Sequence, residues 1–253
     1  MPARIRVHNH IPKFIGLDDD AFAGQVERLK RRLARSNPVA MLTRRTIGGA
    51  MEALAMAPDR DELLLELLDQ NPAGAARTML LELTAILPPV DGYVTCHLAP
   101  NGGDRGSGNC FGSDRLLTTV PCKGEMEPWM RFVIAHEYSH TQRGIRLSDQ
   151  DTVRDFLIFE GLAMVLAETY VPTIGLMFRE ESSDEQVARF WADADLGARG
   201  LDGYMAEMGR DGAYEAGARV IRAYQQHHGT SIADAHRREN RELYWESGYP
   251  RLK

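Results

Sequence analysis

Apolar positions recur at helical spacing over much of this chain, and two short segments break that rhythm. Asp18, Asp19 and Asp20 open a first helical stretch, where acidic residues complement the helix dipole, and Asn37-Pro38 ends it. Two more helices are predicted over 39–57 and 60–70, parted at Pro58-Asp59. Asn71-Pro72 starts a fourth, which runs to Leu87 and stops at Pro88-Pro89. Residues 1–17 look irregular or weakly extended. The expectation is an all-helical lobe over residues 1–88, followed by a second domain over 89–253.

The texture changes after Val90. Gly92 to Leu98 alternates and is rich in β-formers, so it reads as a strand. A glycine-rich loop follows over 101–109, and Cys110 to Val120 reads as a second strand. The helical period then returns. One helix is predicted from Glu127 to Arg143, with Pro128 in its first turn and Gly144 as its C-cap. Ser148 to Asp151 resembles a capping box ahead of an apolar helix over 156–170. Further helices are expected through 187–191 and 212–228. The fold class expected is α+β, mainly helical, with a small antiparallel sheet beside the 127–143 helix.

Composition changes this picture little. The chain has 253 residues, of which 43% are hydrophobic and 26% charged, ordinary values for a globular protein. A formal net charge of −6 disfavours nucleic acid as a partner. Cys96, Cys110 and Cys122 are an odd count, which suits reduced thiols. No apolar run approaches the roughly 18 residues of a membrane span, and the first residues lack a secretory pattern. A cytoplasmic location without membrane contact is expected.

The chemistry concentrates in His136-Glu137-Tyr138-Ser139-His140. On a helix, positions i and i+4 share a face, so both imidazoles can reach one metal ion while Glu137 lies beside it. Trp129, Phe132, Val133, His136 and His140 follow one helical stripe, which places both histidines toward the core. Catalytic zinc takes three protein ligands and keeps a position for water. Glu160 is the candidate third ligand, because it stands alone in an apolar helix where an unpaired carboxylate would be costly. Gly161 and Ala163 are small enough to let that helix approach the 127–143 helix closely. Glu168, Cys122 and Cys110 are the alternatives for the third ligand, the thiols in a deformylase-like site.

His136-Glu-Tyr-Ser-His140, followed by Glu160-Gly-Leu-Ala163, resembles the YjaZ-like family of predicted zinc-dependent proteases, within the gluzincin group. Tyr214 to Gly217 and Glu246 to Tyr249 are similar to that family's final helices, so the likeness covers roughly residues 90–250. Ser139, and Met164 after Glu-Gly-Leu-Ala, depart from its pattern. The resemblance implies a zincin-like core, Zn²⁺ held by His136, His140 and Glu160, and Glu137 as general base.

The expected function is a zinc-dependent peptidase, with a peptide or protein as substrate and Glu137 assisting attack by a zinc-bound water. The strand over 110–120 is the candidate to hold an extended substrate by main-chain hydrogen bonds. Tyr214 and Tyr249 are candidate donors to the oxyanion. The alternative is a zinc-stabilised module that binds a peptide or partner without turnover. Other clusters read more plainly. His8 and His10 suit a solvated N-terminal arm, the basic run from Arg28 to Arg35 a solvated helix face, and His227 and His228 a helix end.

Overall fold

The computed structural model describes residues 3–34, 40–143, 152–197 and 210–249. The protein is mainly helical with one small mixed sheet, an α+β composition. It divides into two compact units, Met1–Gly144 and Ile145–Lys253. The boundary expected after residue 88 lies inside the first unit.

In the first unit, strand β1 (Arg4–Asn9) precedes helices α1 (Asp19–Ala34), α2 (Ala40–Ala55), α3 (Arg60–Asp69) and α4 (Pro72–Ile86). The helix starts follow the polar signals. Asn71 sits in the left-handed region at φ 52°, and its side chain accepts a hydrogen bond from the Gly74 N–H. Strands β2 (Tyr93–Asn101), β3 (Ser107–Cys110) and β4 (Arg115–Pro121) follow, then α5 (Met126–Arg143).

The sheet order is β1-β2-β4-β3. β1 runs parallel to β2 and β2 parallel to β4, while only β3 is antiparallel to its neighbour. Two expectations are corrected here. The sheet is mixed rather than antiparallel, and the first residues supply a strand to it, so the region before residue 88 is not all-helical. The reason is non-local: β1 reads as a weak strand alone and acquires its ladder only from β2.

The expected strand over 110–120 is also two strands. Gly112, at φ 128°, lies in the turn from β3 to β4, and the Phe111 N–H donates to the Arg115 carbonyl at 2.8 Å. β4 is therefore internal, paired on both sides, and β3 is one edge of the sheet, with β1 at the other. An internal strand has no free ladder, so the candidate substrate strand moves from 110–120 to β3.

The loop before β3 is ordered by two side chains. Asn101 donates to the Arg105 carbonyl at 2.8 Å and to Thr119 Oγ1 at 3.1 Å, and it accepts from the Gly103 N–H at 3.0 Å. Thr119 Oγ1 also accepts from the Ser107 N–H at 2.9 Å. This anchors the start of β3 beside β4.

α5 packs on β3, β4 and α4. It is buried almost all round in its second half, a broader burial than the expected stripe. Tyr138 is fully buried and donates its hydroxyl to the Leu87 carbonyl at 2.5 Å, and Arg131 pairs with Glu82 of α4 at 2.7 Å.

In the second unit, α6 (Val153–Tyr170), α7 (Pro172–Glu181), α8 (Asp184–Ala192) and α9 (Arg210–His228) precede two short helices, Ile232–Ala235 and Asn240–Glu246. The capping box of α6 is formed by Thr152 and Asp155. The one expected at Ser148 to Asp151 lies outside the described residues, as do Gly144 and Asn37-Pro38. Val153, Leu157, Val187, Phe190, Ala213 and Ala216 form an apolar cluster joining α6, α8 and α9. Gly161 faces α9, where a Cβ would overlap the Gly217 backbone. The close approach that this glycine permits is thus to α9.

Among the described residues, no helix is long and apolar enough to cross a membrane.

Candidate metal centre

His136 and His140 are one helical turn apart on α5. Their Nε2 atoms stand 3.1 Å apart, the ring planes cross at 90°, and the centroids are 4.7 Å apart. One Nε2 can donate to the other, and both nitrogens lie within reach of a single ion. Zinc–nitrogen bonds of about 2.0–2.1 Å would let one ion reach both nitrogens. Glu160 of α6 completes the set, since one ligand atom from each of the three residues lies within 4.8 Å of the other two. Among the described residues this is the one such group of three or more His, Cys, Asp or Glu. His140 and Glu160 are buried, at 5% and 8% exposure, and His136 is partly so. Two imidazoles and a carboxylate are a donor set suited to zinc and its first-row neighbours, so these residues fit a metal ion.

The alternative ligands are engaged elsewhere. Glu168 faces Arg222, with its two oxygens 2.6 and 3.1 Å from the guanidinium. Cys110 is buried on β3, and burial pushes the Cys122 thiol up to about 11. No cysteine belongs to the group around His136.

Glu137 is 7% exposed and lies along β3. Gly108 has its open side toward this residue: a Cβ there would come within 2.5 Å of Glu137 Cγ. Nothing but a glycine at alternate spacing, Gly106 and Gly108, hinted at this contact in the sequence.

Tyr214 stands edge-on to Phe178, with centroids 5.9 Å apart. Tyr249 lies beside Trp191 at 6.5 Å and hydrogen-bonds Arg219. Arg219 and Arg222 both reach Glu215, which is 2% exposed, at 2.9 and 3.0 Å. This network was not foreseen. Its signal in the sequence is the i, i+4, i+7 spacing of Glu215, Arg219 and Arg222 on one helix.

A second histidine cluster lies on the opposite sheet face from α5. Pleat alternation puts His8 and His97, which are register partners, on one face, and Cys96 and Leu116 on the other. Cys110 and Gly108 of β3 share the second face, which α5 covers. His10 Nε2 and His97 Nδ1 are 3.1 Å apart, as in the α5 pair, but the geometry differs. Here the rings are within 6° of parallel with centroids 5.4 Å apart, and one nitrogen donates to the other. His8 is exposed, as expected of an N-terminal arm, whereas His10 is buried and departs from that expectation. Burial lowers its pKa to about 4, helped by Lys13, Arg32 and His8. Burial, His10 and His8 lower that of His97 to about 3.

The remaining clusters are structural. Arg28 bonds Gln25 and Lys30 bonds Glu27 along the exposed face of α1. His228 lies 2.9 Å from the Glu246 carbonyl, and buried His236 lies 2.8 Å from the Ile232 carbonyl.

No protein-family model, curated protein or solved structure matches the chain.

Proposed function

We propose that this protein is a zinc-dependent peptidase with a zincin-like core, of the gluzincin kind that the YjaZ-like resemblance implies. The observation that carries the reading is the convergence of His136, His140 and Glu160 within 4.8 Å. His136, His140 and Glu160 would hold the ion. Zinc, when bound, lowers the pKa of a water toward about 7 and polarises a carbonyl.

Glu137 has the general-base role. It follows His136 directly on α5, so its carboxylate stands beside the ligands rather than among them. It takes a proton from the attacking water and delivers it to the leaving amine. The free edge of β3 offers backbone N–H and C=O groups to an extended peptide, and β3 lies against the same turn of α5 that carries Glu137. Burial of Glu137 and His140 keeps bulk water from the base and strengthens its interactions. Tyr214 or Tyr249 serves as oxyanion donor in this reading, and a peptide or protein is the substrate.

The test is hydrolysis of a broad peptide library and of unfolded proteins, with and without chelator, alongside metal analysis. Stoichiometric zinc with chelator-sensitive cleavage is expected. Zinc without any cleavage would favour a binding module, and a chain that takes up no metal would refute the site.

A further inference from the structure

We propose that Gly108 is a positioning residue for Glu137, its missing side chain forming the cradle in which the base lies. The proposal rests on Glu137 acting as the base. Gly108 pairs with Thr118 in the β3–β4 ladder, so its backbone is pinned by a neighbouring strand. Val133 and Glu137 are one turn apart on α5 and both lie against it. A Cβ at position 108 would stand 2.5 Å from Glu137 Cγ, 2.6 Å from Val133 Cγ1 and 2.8 Å from Glu137 Oε1. Ordinary carbon contacts are about 3.5–4.0 Å, so a methyl group demands a displacement of about 1 Å. β3 is held by its ladder, and Val133 is β-branched and stiff. The flexible Glu137 side chain is what gives.

Gly106 is the internal comparison. A Cβ there would have as its three nearest atoms the Thr119 carbonyl oxygen at 3.0 Å, Val133 Cγ2 at 3.3 Å and Trp129 Cβ at 3.6 Å, none of them from Glu137. Both glycines let α5 approach the strand, but only one bears on the carboxylate. The three atoms nearest to a methyl group at 108 belong to Glu137 and Val133 and not to the candidate metal ligands. The substitution therefore separates base placement from metal binding.

The experiment compares the zinc-loaded parent with Gly108→Ala, Gly106→Ala and the double variant Gly108→Ala/Val133→Ala. Zinc content, kcat and KM are measured on peptides that the parent cleaves. Gly108→Ala should keep its zinc and KM and lose on the order of 100-fold in kcat, the scale of a 1 Å misplacement of a reacting group. Gly106→Ala should stay within a few-fold of the parent. The double variant relieves Val133 but not Glu137, so it should fold and remain slow; recovery there would mean that Gly108 serves packing alone and would overturn the proposal. Undiminished kcat in Gly108→Ala would do the same. If the parent cleaves nothing, the peptidase reading fails, and a crystal structure of the zinc-loaded variant decides the positioning. A shifted Glu137 carboxylate beside unmoved histidines supports it, and an unmoved carboxylate refutes it. If Gly108→Ala does not fold, the same measurements on the double variant decide.

Discussion

Gly161 of α6 and Gly217 of α9 meet backbone to backbone. A Cβ on Gly161 would overlap the Gly217 carbonyl, and one on Gly217 would overlap the Leu157 carbonyl. Overpacking of this kind costs roughly 1–3 kcal/mol where side chains can adjust, and here the obstacle is main chain. Gly217→Ala should therefore lower stability by about 3 kcal/mol or more. Urea unfolding checks this, and an unchanged midpoint would show that the two helices can part without cost.

Removing the metal ligands gives the second prediction. Glu160→Ala and His140→Ala should each lose zinc on dialysis, while Cys122→Ser keeps it. Zinc should also raise the melting temperature of the parent, since an ion that binds only the folded chain stabilises it by about 2.7 kcal/mol at 100 times its Kd. Loss of zinc in Cys122→Ser alone would replace the ligand set argued above.

Glu137→Gln should retain zinc and the fold, because Glu137 lies beside the ligands and a neutral amide fills the same space. Cleavage should drop by about 100-fold or more, the usual worth of a general base. Equal rates for parent and variant would remove Glu137 from the mechanism.

The His10–His97 pair predicts a pH dependence of stability. Both folded pKa values, about 4 and about 3, lie below the 6.5 of the unfolded chain. The unfolded state therefore binds more protons below pH 6.5. The stability contributed by the neutral pair is complete above that pH and is lost as pH falls toward 4 and 3. A loss of about 2 kcal/mol for each ring, on the order of 4 kcal/mol for the pair, between pH 7.5 and 5 follows from the size of the shifts. Denaturation curves across this range should show that loss, and His97→Gln should flatten it. A slope unchanged in the variant would assign the acid sensitivity to other groups.

Much of the helical layout was legible because its signals are local. The Asp18 to Asp20 turn, Pro72 and the apolar period from Glu62 to Leu87 sit within a few residues of the structure they cause. The metal pair was legible for the same reason, since i and i+4 on one helix need no tertiary knowledge. Glu160 was found through its isolation among apolar neighbours, a cost that sequence exposes. The sheet order was hidden because β1 depends on β2, far along the chain, and because Gly112 turns what reads as one strand into a hairpin. That single residue moved the sheet edge from β4 to β3. His10 reads as solvated in the sequence for want of a neighbour, and His97 becomes one only through the β1–β2 register, while His8 stays exposed. The partner of Gly161 was misjudged on similar grounds: a small residue announces a close contact without saying with what.

The parallel pairing of β1 with β2 also orders the folding of the first unit. Arg4 pairs with Tyr93 and Asn9 with Leu98, so β1 finds its ladder only after four helices have been made. β2, β3 and β4 instead lie within one short stretch, Tyr93–Pro121, joined by a loop and a tight turn. Short closures cost less entropy and come sooner than long ones. The three-stranded β2-β4-β3 platform thus has the means to form first, and α5 can settle on it while the amino-terminal strand is still free. β1 joins as a late closing strand. The β3 edge and the turn that carries Glu137 belong to the early part, and the His10–His97 pair closes only when the late strand brings His10 against β2.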